Sequence, residues 1–264
     1  MPGEVIDRKE VIGLLSDLVR IPSVNPQMGG AEGERAIARY LAERLQGLGL
    51  TPTVTEVQPG RPNVLATVPG KPGGPHLLFE AHTDTVPPSH GQDEPFNPRL
   101  QGDRLFGRGS CDTKASVAAM FLALASVLPA RDRRVTVSVA FTAGEEFGHV
   151  GVKHLIASGF RCDAAVVGEP TGLDVVSAHK GILRWKMVTT GRAAHSSNPE
   201  EGCNAILKMA AAKHRLCALL CNGKDGLPPA SLLAVLADDI GGKLFIAASQ
   251  PVASYPSLTP DLAQ

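Results

Sequence analysis

"FEAHTDTVP", residues 79–87, joins an apolar run to an imidazole and a carboxylate. The apolar residues 77–79 predict a buried strand, and His82 and Asp84 follow where that strand ends. Residues i and i+2 of an extended chain point to the same side, so we expect His82 and Asp84 to share one face. This arrangement suits a metal ligand with a supporting carboxylate, and it equally suits an ordinary polar strand end.

Strands and amphipathic helices alternate along the chain on both sides of this stretch. Apolar residues at helical spacing predict helices over 4–20, 32–48 and 113–128, and we also expect a short helix over 149–158. Short apolar runs predict strands at 52–57, 63–68, 76–81, 135–141 and 163–168, with a polar loop at 87–104. The alternation predicts an α/β fold with a mostly parallel central sheet flanked by helices.

The pattern changes near residue 180, where we expect a second domain to begin. "GILRWKMVTTG", residues 181–191, alternates like a strand with one exposed face. "RAAHSSNPEEGCNAI", residues 192–206, is a polar turn that opens a helix extending to about residue 221. We therefore divide the chain into residues 1–179 and 180–264, and the tail from about residue 217 matches no expected pattern.

The composition disfavours several classes of partner. Lys plus Arg and Asp plus Glu both number 26, so the chain has no broad field that would attract nucleic acid or an anionic membrane. No apolar run approaches the ~20 residues that span a bilayer, and residues 1–10 carry charges where a signal peptide is apolar. The five cysteines form no CxxC pair. We expect a soluble cytoplasmic protein that binds neither nucleic acid nor membrane.

Further acidic residues stand beside predicted strands and helices. Asp112, in "GRGSCDTK", precedes the Ala-rich helix and would also serve as its N-cap. Glu145 and Glu146 follow the strand that ends in "FTAG". Adjacent buried carboxylates repel each other and usually indicate a cation or a shared proton, whereas on a surface they form an ordinary solvated loop. Glu169, in "VVGEPTG", follows another apolar strand and is otherwise a loop carboxylate.

Taken together, these positions indicate a metal site. In open α/β sheets, ligands bind in the crevice beyond the carboxyl ends of the strands. An imidazole with several carboxylates and no thiolate suits zinc or a harder divalent ion. Two ions ~3.5–4 Å apart, bridged by a carboxylate, activate a water molecule for hydrolysis. A dinucleotide-binding domain and a serine hydrolase are disfavoured, because no GxGxxG follows a predicted strand and no GxSxG occurs.

Five motifs, over about residues 10–210, resemble the dinuclear zinc amidohydrolase family of acetylornithine deacetylase, succinyl-diaminopimelate desuccinylase, aminoacylase-1 and glutamate carboxypeptidase. In order, they are "HTDTVP", "GRGSCDTK", "GEEFG", "GEP" and "GRAAHSSNPEEGCNAI". The resemblance implies a zinc-peptidase-like catalytic domain for residues 1–179 and a partial α+β lid and dimerisation domain for residues 180–264. It implies that a metal-bridged water hydrolyses an amide bond in an N-acyl amino acid, or in a peptide if the protein is a dipeptidase or carboxypeptidase of the same family.

The resemblance also implies the metal ligands. His82 and Glu169 would bind one ion, Asp112 would bridge two ions, and Glu146 would bind the second. The ions would be zinc, with cobalt as an alternative.

Three residues would support the reaction without binding metal. Glu145 would be the general base that takes a proton from the bridging water, and Asp84 would orient His82. His195 would reach the active site of a partner subunit in a homodimer and stabilise the oxyanion; without the resemblance it reads as an ordinary turn residue.

The resemblance also implies a cis peptide bond between Asp112 and Thr113.

The chain departs from the family's pattern downstream. The family has a further metal-binding histidine after the lid, whereas none of the eight histidines of this chain lies beyond His214. We therefore expect a truncated chain with one tight and one weak metal site and with low or no hydrolysis. We also expect apolar surface to be exposed on the Ala-rich helix and the neighbouring strands. The alternative to an enzyme is a non-catalytic relative that binds metal or a partner.

Overall fold

The computed structural model describes residues 6–130, 132–178 and 187–222. The chain divides into two compact units, Met1–Ser177 and Ala178–Gln264. The lid and dimerisation roles of residues 180–264 stay predictions, and the tail beyond residue 222 lies outside the described residues.

The first unit contains the four predicted helices, with slightly shorter bounds. They are α1 (Arg8–Arg20), α2 (Arg35–Gly47), α3 (Lys114–Val127) and α4 (Val150–Ala157). Asp7 is the N-cap of α1, and its side chain accepts a hydrogen bond from Lys9 N and so satisfies one of the free N–H groups of the first turn. The last residue of each helix lies within one residue of its predicted position, whereas α1 and α2 begin four and three residues later than predicted.

A five-stranded sheet forms the centre of this unit. The strands are β1 (Thr53–Gln58), β2 (Arg61–Val68), β3 (His76–His82), β6 (Thr136–Thr142) and β7 (Ala164–Val167), in the spatial order β1-β2-β6-β3-β7. Strands β6, β3 and β7 are parallel, as predicted, whereas β1 and β2 are antiparallel additions. A short turn at Gly60, with φ +78°, joins β1 to β2 and leaves no room for a parallel crossover.

A small hairpin was not predicted within the polar loop. Strands β4 (Arg99–Gln101) and β5 (Arg104–Phe106) pair with each other around Gly102, whose φ is +59°. Most of these residues are exposed, so the pair lacks the apolar face that marks a strand in a sequence.

Helices α1 to α3 share one core with the sheet. The largest of its fully buried apolar side chains are Leu18, Ile37, Leu41, Leu45, Phe121, Leu124 and Phe141. Helix α3 is buried along most of its length, which explains its nearly continuous apolar sequence.

The expectation of exposed apolar surface on the Ala-rich helix is wrong. Helix α3 packs against α1 and the sheet and presents none of the large exposed apolar side chains. Exposure occurs on the edge strand β7, where Val166 and Val167 are 47% and 59% exposed.

The second unit is described only in part. Arg192 and Cys203 form an antiparallel bridge, a 3₁₀ turn covers Pro199–Glu201, and α5 covers Ala205–Asn222. The strand predicted at 181–191 lies mostly outside the described residues, and no strand forms in its described part, 187–191. Among the described residues of the chain, no helix is both long and apolar enough to cross a membrane.

Candidate metal centre

Three parallel strands carry the predicted site residues to one edge of the sheet. His82 is the last residue of β3 and pairs with Thr142, the last residue of β6. Glu145 and Glu146 follow β6, and Glu169 follows β7. Because the carboxyl ends of parallel strands share one edge, these residues meet in the crevice where ligands bind in such sheets.

The distances show that the predicted ligands converge. His82 Nε2 lies 3.1 Å from Asp112 Oδ1, 3.8 Å from Glu169 Oε1 and 3.9 Å from Glu145 Oε2. Two groups have ligand atoms within 4.8 Å of one another: His82 with Asp112 and Glu146, and His82 with Glu145 and Glu169. The structure therefore brings together all four predicted ligands and the predicted base around one imidazole.

Burial separates the floor of the site from its rim. The His82 and Asp84 side chains are 2% and 0% exposed. The side chains of Asp112, Glu145 and Glu169 are 52%, 34% and 38% exposed. The carboxylates of Asp112, Glu145 and Glu169, which we call the rim carboxylates, are thus accessible from solvent. The His82 imidazole is buried and contacts the buried Asp84.

Asp84 contacts both the His82 ring and the backbone of Glu145 and Glu146. His82 Nδ1 donates to the backbone oxygen of Asp84 at 3.0 Å and lies 3.3 Å from its carboxylate Oδ1, which leaves Nε2 facing the other carboxylates. The same carboxylate accepts from Glu145 N at 2.9 Å and from Glu146 N at 3.1 Å. A buried amide, Asn25 Nδ2, donates to it at 2.7 Å. Sequence reasoning missed Asn25; its only signal was that it is one of two polar residues, with Ser23, in the short stretch "IPSVNP".

The electrostatics of the site favour a bound cation. Burial raises the pKa of Glu146, and repulsion from Asp112 adds to the effect. Burial and neighbouring carboxylates raise the pKa of Glu169 to about 7. Burial lowers the pKa of His82, but hydrogen bonds to Asp112 and Asp84 outweigh it and raise that pKa to about 11. Crowded carboxylates beside one imidazole form an oxygen and nitrogen donor set that fits divalent ions.

The start of α3 connects Asp112 to the loop that carries Glu169. Thr113, not Asp112, is the N-cap, so the capping interpretation of Asp112 is wrong: its carboxylate faces His82 instead. The Asp112–Thr113 peptide bond is cis, as the resemblance implied. Thr113 Oγ1 donates to Gly168 O at 2.8 Å and so ties Asp112 to the loop of Glu169.

Lys114, which sequence reasoning also missed, anchors this loop to α1. It is fully buried, and its Nζ donates to Leu18 O at 3.0 Å and to Ile21 O at 2.8 Å. Burial lowers the pKa of Lys114 to about 7. A lysine directly after "DT" gave no sequence signal, because lysine is normally exposed.

A buried ion pair supports the turn before the two glutamates. Arg61 and Glu34 are almost fully buried, with Nη2 and Oε1 2.8 Å apart. Gly144 has φ +74°, and a Cβ there would lie 2.5 Å from Arg61 Nη2 and from a methyl group of Val150. Only glycine therefore fits between the ion pair and Glu145.

His195 lies in the second unit and makes local contacts. Its Nδ1 is 2.8 Å from Ser197 Oγ and 3.3 Å from Ser197 N, and the side chain is exposed. These contacts are those of a turn residue, and the oxyanion role stays a prediction.

Comparisons with known proteins agree with the fold and the motifs. The sequence profile of peptidase family M20/M25/M40 matches residues 78–252, more than half of the chain. A succinyl-diaminopimelate desuccinylase from Gluconacetobacter diazotrophicus is 36% identical over 251 residues, 85% of this chain and 61% of that protein. A probable carboxypeptidase from Aspergillus terreus is 35% identical over 218 residues, 77% of this chain and 48% of that protein.

A solved structure gives the same fold at lower sequence identity. The M20 family metallo-carboxypeptidase from Sulfolobus solfataricus superimposes with a TM-score of 0.58 at 22% identity, over 78% of this chain and 49% of that one. The chain thus spans only about half to three fifths of the length of these proteins. Within that span the profile and the identities are decisive, and the chain belongs to peptidase family M20/M25/M40.

Proposed function

We propose that the protein hydrolyses the amide bond of an N-acyl amino acid, in the manner of a deacetylase or desuccinylase. The observation that carries the proposal is the convergence of His82 with Asp112, Glu145, Glu146 and Glu169 within metal-binding distance. The 36% identity with a desuccinylase supports the acyl amino acid as substrate class.

The donor set suits two divalent ions, with zinc as the first choice and cobalt as the alternative. His82 and Glu169 would hold one ion, Asp112 would bridge, and Glu146 would hold the second. Bound ions would polarise the scissile carbonyl and lower the pKa of a water molecule. Catalytic zinc normally has three protein ligands, and the second position has only two of the described residues, so we expect its affinity to be lower.

The side chains of this chain have separate tasks. Glu145 takes a proton from the attacking water and delivers it to the leaving amine. Its Oε1 lies 3.6 Å from His149 Nδ1, so an imidazole stands beside it. Asp84 keeps His82 Nε2 directed at the rim carboxylates.

The proposal extends to assembly and location. His195 would act in a homodimer, on the active site of the partner. A cytoplasmic location is consistent with the free thiols of Cys111, Cys162 and Cys203.

A carboxypeptidase or dipeptidase is the second candidate. The 35% identity with a probable carboxypeptidase supports it. The same side chains would serve, because both reactions break an amide bond.

A metal titration and a substrate panel test the proposal together. The full chain is stripped with a chelator and titrated with zinc and cobalt, then assayed on N-acetyl amino acids, N-succinyl amino acids and dipeptides. We expect one tight and one weaker site, and slow turnover that prefers acyl amino acids. Preference for dipeptides would favour the second candidate. Metal binding without turnover would favour the non-catalytic relative, and no metal binding would refute the site.

Two sites of equal affinity would overturn the expectation of a weak second site. A further side chain would then complete it: the candidates are His149, whose Nδ1 lies 3.6 Å from Glu145 Oε1, and His154.

A further inference from the structure

Asn25 lies fully buried beside the metal centre, in the segment between α1 and α2. Its Nδ2 donates to Asp84 Oδ2 at 2.7 Å. Its Oδ1 accepts from Gln27 N at 3.0 Å, where Asn25 caps the 3₁₀ turn Pro26–Met28. The two ends of the amide have different partners, and a flipped amide would lose both hydrogen bonds.

The backbone of Asn25 is fixed against the segment that follows β3. Val24 forms a parallel bridge with Thr85. Asn25 N donates to Thr85 O at 2.9 Å, and Thr85 N donates to Ser23 O at 3.0 Å. Because the backbone is already held, the Asn25 amide meets Asp84 with little further loss of conformational freedom.

The Asp84 carboxylate is fully buried, and protein groups therefore supply all of its polar contacts. Its Oδ1 accepts from Glu145 N at 2.9 Å and lies 3.3 Å from His82 Nδ1. Its Oδ2 accepts from Glu146 N at 3.1 Å and from Asn25 Nδ2. An ionised carboxylate has about four acceptor positions, so Asn25 completes the set.

We infer that Asn25 is a positioning residue of the metal centre, whose amide holds the Asp84 carboxylate and, through it, both the His82 ring and the backbone of Glu145 and Glu146. Asn25 is fully buried, and its side-chain hydrogen bonds are to Asp84 and Gln27 and not to a rim carboxylate. Asn25 acts on the metal ligands only through the Asp84 carboxylate. The inference rests on the proposed function of the same site.

Asn25→Asp separates this role from simple capping. Aspartate caps a helical turn as well as asparagine does and has the same shape. However, it replaces the donor that faces Asp84 with a second carboxylate oxygen. We expect Asn25→Asp to weaken zinc affinity at least as much as Asn25→Ala does, by roughly tenfold or more, the range found when partners of metal ligands are removed. A residue that only caps the turn would give an unchanged affinity in Asn25→Asp.

The matched control is Ser23→Ala. Ser23 is equally buried in the same segment, and its hydroxyl donates to Thr83 O at 2.7 Å and not to the Asp84 carboxylate. We expect Ser23→Ala to cost stability but to leave zinc affinity within about twofold of the wild-type value. If the control and Asn25→Ala weaken affinity equally, the effect is general loosening and the inference is wrong.

A second measurement does not depend on metal. Hydrogen exchange of the Glu145 and Glu146 amides in the metal-free full chain reports their hydrogen bonds to Asp84. Asn25→Asp should increase the exchange rate of these two amides several-fold relative to Ser23→Ala. In an Asp84→Ala background, where these hydrogen bonds are already lost, Asn25→Asp should not increase the exchange rate further. Wild-type protein that binds no zinc would refute the proposed function, whereas unchanged exchange in Asn25→Asp would refute the positioning role itself.

Discussion

Two adjacent carboxylates face the same site with different neighbours. Asp84 accepts hydrogen bonds from the backbone N–H of both Glu145 and Glu146 and so fixes the turn that presents them. Glu145 lies near His82 Nε2 and His149, whereas Glu146 groups with His82 and Asp112. The geometry brings both carboxylates to the centre, and a variant of each separates the ligand from the base.

Glu145→Ala should abolish turnover and leave metal binding nearly intact. A general base contributes on the order of 10²–10⁴ in rate, and a base is not a ligand. Steady-state kinetics and metal content of the purified variant provide the check. The matched variant Glu146→Ala should instead lose the second, weaker metal ion and keep the first. Loss of metal from Glu145→Ala would mean that the two roles are reversed.

At the scale of an element, β3 carries a buried acid below the site. Glu80 lies two residues before His82, is almost fully buried, and accepts a hydrogen bond from Thr142 Oγ1. Burial raises its pKa above the usual 4.5, although the Thr142 hydroxyl opposes the shift. Ionised Glu80 is therefore less favourable in the folded chain than in the unfolded chain.

Glu80→Gln should be most stabilising, relative to wild type, at neutral pH. Because the folded-state pKa lies above the unfolded value, wild-type stability falls as pH rises from about 4.5 through the folded pKa. Glutamine keeps the acceptor for Thr142 and removes the charge. Urea unfolding of the metal-free protein between pH 4.5 and 8 measures the difference in unfolding free energy, which should grow with pH. A difference independent of pH would show that Glu80 does not titrate abnormally.

Helix α3 holds the loop of Asp112 through its buried face. Phe121 is 2% exposed in the main core, and truncating such a side chain costs about 3–5 kcal/mol. We expect this loss of unfolding free energy in Phe121→Ala. Ile156→Ala on α4, where the side chain is 56% exposed, should cost less than about 0.5 kcal/mol. Equal losses in the two variants would contradict the assigned core.

At the scale of the whole molecule, the edge of the sheet at β7 is apolar. β7 has one neighbour, β3, among the described strands, and all four of its residues are exposed. The opposite edge strand, β1, is more polar, and its Glu56 pairs with Arg35 at 2.8 Å. Exposed apolar edge strands favour association with other chains.

Val167→Lys should therefore reduce concentration-dependent association of the full chain. Val167 is 59% exposed, so a lysine there disrupts no core and adds charge to the edge. Sedimentation velocity over a range of concentrations measures the effect. The matched variant Val54→Lys, at a residue of β1 that is 50% exposed, should change association less. Equal or absent effects would place the associating surface elsewhere.

Much of the fold could be predicted from local pattern, because helices and buried strands have apolar periods of their own. The hairpin β4–β5 could not, since its residues are mostly exposed and carry no such period. The antiparallel direction of β1 and β2 could not be predicted either. The direction of a strand depends on the turn that connects it and not on the strand's composition.

The sequence by itself determined the α/β class, the family resemblance and the identity of the converging side chains. The class follows from the alternation of strands and helices, and the resemblance follows from five motifs in order along the chain. The converging side chains follow from imidazole and carboxylate residues after predicted strands and before the Ala-rich helix. Only the tertiary structure decided what supports the site. Asn25, Arg61 and Lys114 are distant in sequence from the residues they hold, and each is polar or charged yet buried. Burial of such groups is stable only with partners supplied by the fold, so no local pattern could have revealed them.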